Sequence, residues 1–273
     1  MRLAVVGASG RMGRAVVRLA RAQGIDVVCA VSVTDVGLDV GELAGIGRIG
    51  TCVVDGLAAV EVAQAAVVVD FSVPSATLAL APIAAAAGSA VVSGTTGLGE
   101  DAREALARAS QRVAVLWEPN MSAGMHVLGR LVSEAVAALG DWDVEIAETH
   151  HRAKEDAPSG TALRLVETVQ RARAAAASSA APTASASARA PVVFGRHGKT
   201  TARSNAREVG VVAIRGGDVV GDHTVHLMGG GERIELTHRA TSRDVFAHGA
   251  LRAASWLVTR PPGMYTMADV LKT

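Results

Sequence analysis

Fifteen residues, Ala147 to Thr161, hold two adjacent histidines, His150 and His151, then Lys154, then the run Pro158-Ser159-Gly160-Thr161. Two imidazoles and an ammonium in one loop are the side chains that exchange protons at neutral pH. The run after them reads as the opening of a helix. A helix that starts near Ser159 leaves its first backbone N–H groups without intrahelical partners, and with the helix dipole they favour an anion. The Ser159 and Thr161 hydroxyls and the bare Gly160 let a carboxylate come close. The combination points to protonation of a small acidic substrate. A capped helix beside a solvated loop accounts for any one of these residues, but not for proton chemistry and an anion anchor occurring together.

A second group of residues lies at the start of the chain. Arg2–Val6 reads as a strand, Arg14–Gln23 as an amphipathic helix, and Gly7-Ala8-Ser9-Gly10-Arg11-Met12-Gly13 joins them. The pattern G-x-x-G-x-x-G is a relative of the dinucleotide fingerprint G-x-G-x-x-G, with Ser9 where the middle glycine stands. Small residues at Ala8, Ser9 and Gly10 let the backbone approach a pyrophosphate at the helix N-terminus. The next strand, Asp26–Val31, should end at the residue that reads the adenosine ribose. An acid there argues NAD and a neighbouring arginine argues NADP. Here Ser32 and Val33 follow, with Asp35 slightly later, and Arg11 is the nearest candidate for a 2′-phosphate. NADH and NADPH both stay open.

Elements to hold these groups alternate through the first half. Val67–Ser72, Ala90–Ser93 and Arg112–Trp117 read as strands, and Ala76–Ala87 and Glu100–Ser110 as helices. That βαβ spacing predicts a doubly wound parallel sheet, with ligands at the carboxyl ends of its strands. Asp70–Ser72, Gly94-Thr95-Thr96 and Glu118-Pro119-Asn120-Met121 fall there and outline one edge of a cleft. From Ser122 the pattern changes. A long helix, Ser122–Leu139, and a short strand, Asp143–Glu148, lead to the histidine loop and a helix over Thr161–Arg173. Ala174–Ala190 is almost wholly Ala, Ser, Thr and Pro, and reads as frayed helix followed by a flexible loop away from the cleft. Glu208–Arg215, Asp218–Met228 and Glu232–Ala240 then alternate as strands, with hairpin turns expected at Arg215–Asp218 and Met228–Glu232. They predict a mixed or antiparallel sheet, followed by a helix over Phe246–Leu257. His223, His226 and His238 lie on these strands. With no cysteine or clustered carboxylate at ligand spacing, they read as structural or interface residues, and no metal site is expected. An extra sheet of this kind suits subunit contacts, so a homo-oligomer is expected.

Composition excludes other classes. The chain has 273 residues, enough for one large or two modest domains. A formal charge of +1 gives no global attraction to nucleic acid or to an acidic membrane surface. Leu78–Val92, the longest apolar region, is broken by Pro82 and Gly88 and is too poor for a membrane span. Cys29 and Cys52 lie in apolar runs and are expected to be buried thiols rather than a disulfide or metal pair. No signal-peptide pattern precedes the first strand, and a cytoplasmic location is the default.

The chain resembles the 4-hydroxy-tetrahydrodipicolinate reductases (dihydrodipicolinate reductases) of diaminopimelate and lysine biosynthesis. The resemblance rests on the glycine turn Gly7 to Gly13, Asp70-Phe71-Ser72, Gly94-Thr95-Thr96-Gly97, Pro119-Asn120-Met121-Ser122 and Glu148-Thr149-His150-His151-Arg152-Ala153-Lys154. It continues with Asp156-Ala157-Pro158-Ser159-Gly160-Thr161-Ala162, Arg215 through His223, and Gly231-Glu232-Arg233 through Ser242-Arg243. It covers nearly the whole chain apart from the low-complexity insert. The resemblance implies an α/β fold of two domains. Residues 1–121, completed by 244–273, would form a Rossmann-like dinucleotide domain. Residues 122–243 would form an inserted α+β domain with an open mixed sheet that binds substrate and joins a homotetramer.

It further implies NAD(P)H-dependent reduction of a cyclic dicarboxylate. His150 and Lys154 match the acid–base positions, with Lys154 the proton donor. His151, Lys154, Ser159, Gly160 and Thr161 match substrate-binding positions. Gly7, Ala8, Ser9, Gly10, Arg11, Met12, Ser32, Gly94, Thr95, Thr96, Glu118, Pro119, Asn120 and Met121 match cofactor positions. Two departures stand out: Ser32-Val33 replaces an acid and a base at the ribose, and Glu118 replaces a small residue beside the nicotinamide. A Glu118 carboxylate pointing inward would repel an anionic substrate, so it is expected to point away or pair with a base. Two other readings fit the residues: another two-domain dehydrogenase of a small acid, or a non-catalytic NAD(P)H sensor.

Overall fold

The computed structural model describes residues 1–179, 191–199, 202–203 and 207–272. It divides into two compact units, residues 1–123 with 243–273, and residues 124–242.

The first unit contains β1 (Arg2–Val6), α1 (Arg11–Ala22), β2 (Asp26–Val31), α2 (Val40–Leu43), β3 (Val53–Val54), α3 (Ala58–Val62), β4 (Val67–Asp70), α4 (Pro74–Ala87), β5 (Ala90–Ser93), α5 (Glu100–Ala109) and β6 (Ala114–Trp117). The second contains α6 (Ala123–Ala138, from its second residue), β7 (Asp143–His150), α7 (Gly160–Ser179), β8 (Val192–Phe194), β9 (Val209–Arg215), β10 (Gly221–Met228) and β11 (Arg233–Ala240). The chain then returns to the first unit with α8 (Asp244–Leu257), β12 (Gly263–Tyr265) and α9 (Met267–Leu271).

Seven parallel strands in the order β12-β6-β5-β4-β1-β2-β3 form the first sheet. Its strands are short and apolar throughout because both faces are covered. Leu3 and Val5 pack on the side of α1 and α8, while Ala4 and Val6 pack on the side of α4 and α5. The order reverses between β1 and β4, which places the crevice of a doubly wound sheet at their carboxyl ends. The three-residue β12 extends the sheet beside β6; a segment so short behind Pro261-Pro262 carries no alternation to read.

The second sheet is mixed, in the order β11-β10-β7-β9-β8. The helices α6 and α7 contribute Leu128, Val132, Leu165 and Val169 to a core with Val144, Ile146, Val225 and Leu227 of the strands. The Met228–Glu232 turn is a hairpin, since β10 and β11 pair antiparallel. Arg215–Asp218 is not: β7 lies between β9 and β10. Its glycines instead cross the end of β7, with the Gly216 N–H donating to His150 O (2.9 Å) and the Arg152 N–H to Gly217 O (3.2 Å). Gly-Gly serves either course, so composition alone does not separate a hairpin from a crossing of one strand.

The helix expected over Thr161–Arg173 continues to Ser179, so residues 174–179 of the low-complexity tract are helical; residues 180–190 lie outside the described residues. Cys29 is buried, and burial pushes its thiol up to about 11. Cys52 is exposed, contrary to expectation, because it lies beside the two-residue β3 at the sheet edge. Among the described residues no helix is long and apolar enough to cross a membrane.

Candidate active site

The residues expected to cradle a dinucleotide lie within the first unit at the ends of β1, β2, β4, β5 and β6. Gly7 has φ +78°, and a Cβ there would lie 2.4 Å from Phe71 O. A Cβ on Gly13 would lie 2.2 Å from Gly7 O, so the first helical turn packs directly on the glycine turn. Only glycine fits either place, and such close backbone packing is what a pyrophosphate cradle needs. The Gly7 and Ala8 N–H groups donate to Val31 O at 2.9 and 3.1 Å, and Gly10 caps α1. Ser9 is turned inward, its hydroxyl donating to Thr34 O (2.9 Å), while Arg11 is exposed. Arg14 Nε donates to Ser9 O (2.8 Å) and its guanidinium pairs with Asp35 (3.2 Å). The acid that follows β2 is therefore already paired, and Ser32 contacts the Thr34 hydroxyl at 3.3 Å.

Asp70 organises the adjoining loops. Its carboxylate is fully buried and accepts from Ser72 N (3.0 Å), Ser72 Oγ (2.5 Å), Thr77 Oγ1 (2.6 Å), Ser93 Oγ (2.9 Å) and Thr95 Oγ1 (3.0 Å). This couples β4, α4, β5 and the Gly94–Thr96 loop. Gly94 is required, since a Cβ would sit 2.1 Å from the Phe71 ring. Thr95 is buried against Asp70 and Thr96 is exposed. Glu118 is buried at the end of β6, its N–H donating to Ser93 O (3.0 Å), and Pro119 is half-buried. Asn120 Oδ1 accepts from Ser122 N (2.9 Å). Met121 belongs to the core, with its carbonyl packed where a Gly249 side chain would stand. The glycine turn and the small residues of the Gly94–Thr96 loop suit a dinucleotide.

In the second unit, alternation along β7 gathers the candidate proton-transfer residues. Val144, Ile146, Glu148 and His150 all face the helices, since residues two apart share a face. On β10 the same face carries Leu227, Val225, His223 and Gly221. The register pairs Val225 with Ile146 and His223 with Glu148. Both strands thus change from aliphatic to titratable at the same end. Glu148 Oε1 accepts from Arg215 (2.9 Å) and from Ser159 N (3.2 Å), and Oε2 contacts His150 Nδ1. The rings of His150 and His223 meet edge to face, with centroids 5.1 Å apart. His223 Nε2 lies 3.2 Å from Ser159 Oγ, which also accepts from Ala162 N (3.2 Å) and so caps α7.

Lys154 reaches Asp156 at 2.6 Å and is one-fifth exposed. His151 and Thr161 are half-buried and Gly160 is exposed. The exposed start of α7 and Lys154 thus lie on one loop, as an anion anchor requires. Burial would raise the Glu148 carboxyl, but hydrogen bonds from Arg215 and His150 bring it below its usual range. Burial lowers His150 despite Glu148, with Lys154 and Arg215 adding to the effect. Burial, then His150, lowers His223 to about 4. The hydrogen bond from Lys154 lowers Asp156.

Glu148, Arg215 and His223 are the residues the reading of the loop missed. The two-residue step from Glu148 to His150 on a strand was a usable signal. No local pattern signals the register that brings His223 and Arg215 alongside. Glu148, His150 and His223 each offer one ligand atom within 4.8 Å of the others. His223 is thus part of this cluster rather than a lone strand histidine. His226 faces away and lies 3.6 Å from Glu235.

Comparisons with known proteins match both halves. Residues 1–121 match the family described as dihydrodipicolinate reductase, N-terminus, and residues 124–271 the one described as dihydrodipicolinate reductase, C-terminus. The 4-hydroxy-tetrahydrodipicolinate reductase of Archaeoglobus fulgidus is 44% identical, with all of both chains covered. That of Halorhodospira halophila is 46% identical over 98% of each chain. The fold is similar to the dipicolinate-bound dihydrodipicolinate reductase of Paenisporosarcina sp. TG-14, with a TM-score of 0.75, 20% identity and 97% of each chain covered. On these matches over its whole length, the chain belongs to the dihydrodipicolinate reductase family.

Proposed function

We propose that the protein reduces 4-hydroxy-tetrahydrodipicolinate to tetrahydrodipicolinate in diaminopimelate and lysine biosynthesis, using NADH or NADPH. The observation that carries the reading is the buried Glu148–His150 pair beside Lys154 and the exposed start of α7, in a chain that matches the family from end to end. Gly7, Ala8, Ser9, Gly10, Arg11, Met12 and Ser32 would hold the dinucleotide, with Gly94, Thr95, Thr96 and Glu118-Pro119-Asn120-Met121 along its nicotinamide half. When bound, the reduced nicotinamide supplies the hydride. His151, Gly160 and Thr161, on the helix end that Ser159 caps, grip a carboxylate of the substrate, with the Gly160 N–H leading because the Ser159 hydroxyl and N–H are already engaged. The 4-hydroxyl departs as water to leave a conjugated dihydro ring; hydride arrival on that ring leaves negative charge, which the Lys154 ammonium stabilises and then protonates. His150 completes the acid–base pair.

The outer face of the second sheet exposes Val212 and Ile214, and its edge strands expose Phe194 and Ile234, apolar area that supports a homotetramer joined through this unit. A cytoplasmic enzyme acting on a small dicarboxylate follows from the same reading. Membership of this family argues against a different dehydrogenase or a sensor. The test is oxidation of NADH and of NADPH with substrate generated in situ from pyruvate and aspartate semialdehyde by the preceding synthase. Turnover with either supports the proposal, and their ratio gives the cofactor preference. Cofactor binding without turnover overturns it.

A further inference from the structure

We propose that Glu148 is the positioning residue of this site: it holds His150 as the Nδ1–H tautomer, leaving Nε2 as an unprotonated acceptor and Lys154 as the proton donor. The inference deepens the acid–base reading above and rests on it for its catalytic consequence.

The donor set decides the tautomer. Glu148 is fully buried. Its Oε1 faces a guanidinium and a backbone N–H, groups that can only donate. Oε2 is left to His150 Nδ1, and a buried carboxylate requires a proton there. The ring is held in place on other sides. His223 meets it edge on, and a Cβ on Gly221 would lie only 3.0 Å from Nε2. A half-turn of the ring would set Cδ2 in place of Nδ1 and leave Oε2 without its donor.

Burial favours the neutral form of His150, opposed by Glu148 and aided by the nearby cations. Glu148 is the anion in contact with it; Lys154 from the loop and Arg215 from β9 are cations, and His223 from β10 is an uncharged imidazole. Asp156 is taken up by Lys154. His238, across β10 from His223, is also shifted towards the neutral form by burial. A cation shared by Glu148, His150 and His223 is the competing use of the cluster. It is disfavoured because Nδ1 and Oε2 already touch, whereas two ligands of one ion stand about 3 Å or more apart, and Oε1 is occupied.

The experiment is long-range 1H–15N spectroscopy of the 15N-histidine protein, with His150 assigned by loss of its signals in His150→Gln. In wild type at pH 7.5, His150 is expected to show a protonated Nδ1 and a bare Nε2. In Glu148→Gln the amide oxygen must serve Arg215 and Ser159, so the amide NH2 faces His150 and the tautomer reverses to Nε2–H. The kcat of that variant is expected to fall about 10- to 100-fold, the usual effect of losing an orienting partner, with KM nearly unchanged. A wild-type His150 that is Nε2–H or doubly protonated at pH 7.5 overturns the proposal, even if Glu148→Gln does not fold. So does a reversed tautomer with undiminished kcat. A protein with the expected tautomer but no reductase turnover would sink the functional reading and leave the assignment of Glu148's hold on His150 standing.

Discussion

Replacing Asp70 by asparagine tests whether the cofactor cradle is built around one buried carboxylate. Ser72 N–H can only donate, so the asparagine oxygen takes the Oδ1 place and its NH2 replaces Oδ2. That NH2 then faces three hydroxyls, Thr77, Ser93 and Thr95, that now donate to Oδ2. Two of them can turn to accept, and each must then find a new acceptor for its own proton. The nearest for Thr77 is Val73 O at 3.5 Å, too far to compensate. Hydrogen bonds to a charged group contribute about 1.5–3 kcal/mol each. Losing three and regaining two weaker ones gives a net cost of about 3 kcal/mol. In a domain of this size that lowers Tm by about 6–12 °C. Because Thr95 hangs from Asp70, the Gly94–Thr96 loop loosens, and NADH affinity should fall about tenfold, equivalent to 1.4 kcal/mol. Calorimetry of the free protein and fluorescence titration with NADH measure the two effects. A Tm within about 2 °C of wild type with unchanged NADH affinity would refute the account of Asp70.

Two further predictions concern backbone and pH. Gly7→Ala introduces a side chain at φ +78° and 2.4 Å from Phe71 O; it should destabilise the first unit by at least about 2 kcal/mol and abolish detectable NADH binding, read by urea unfolding and titration. His223 is held neutral, with its folded value near 4 against 6.5 unfolded. The unfolded chain therefore binds the extra proton between these values, and stability falls as pH drops from 6.5 towards 4, by up to about 1.4 kcal/mol per pH unit. His223→Gln should flatten that part of the pH–stability curve measured by urea unfolding; an unchanged slope would show that His223 does not titrate on unfolding.

Much of the first unit was legible because its signals are local: glycines at fixed offsets, apolar strands of four to six residues, and helices between them. The site divides differently. His150, His151, Lys154 and Ser159 sit within ten residues and read as a group. The use of Ser159 as a cap for α7 and a partner of His223, rather than as a free hydroxyl, depends on a register between β7 and β10 that no local pattern encodes. Arg215 was read as a hairpin corner. It instead ends β9 next to β7, donating to Glu148 and to Asp156 O (2.6 Å). The crossing of β9 to β10 over β7 escaped for the same reason, since turn residues report that a chain reverses and not which strand it comes to lie beside.

In the proposed reaction Lys154 delivers the proton that completes reduction. Steady-state turnover of wild type and Lys154→Ala, with the preferred nicotinamide and enzymatically generated substrate, decides whether it does. Wild type should turn over and the variant should lose about 10²- to 10⁴-fold in kcat, the usual contribution of a positioned acid, with NADH affinity unaltered. A Lys154→Ala protein within about threefold of wild type in kcat, against the large loss that acid catalysis predicts, would contradict the account.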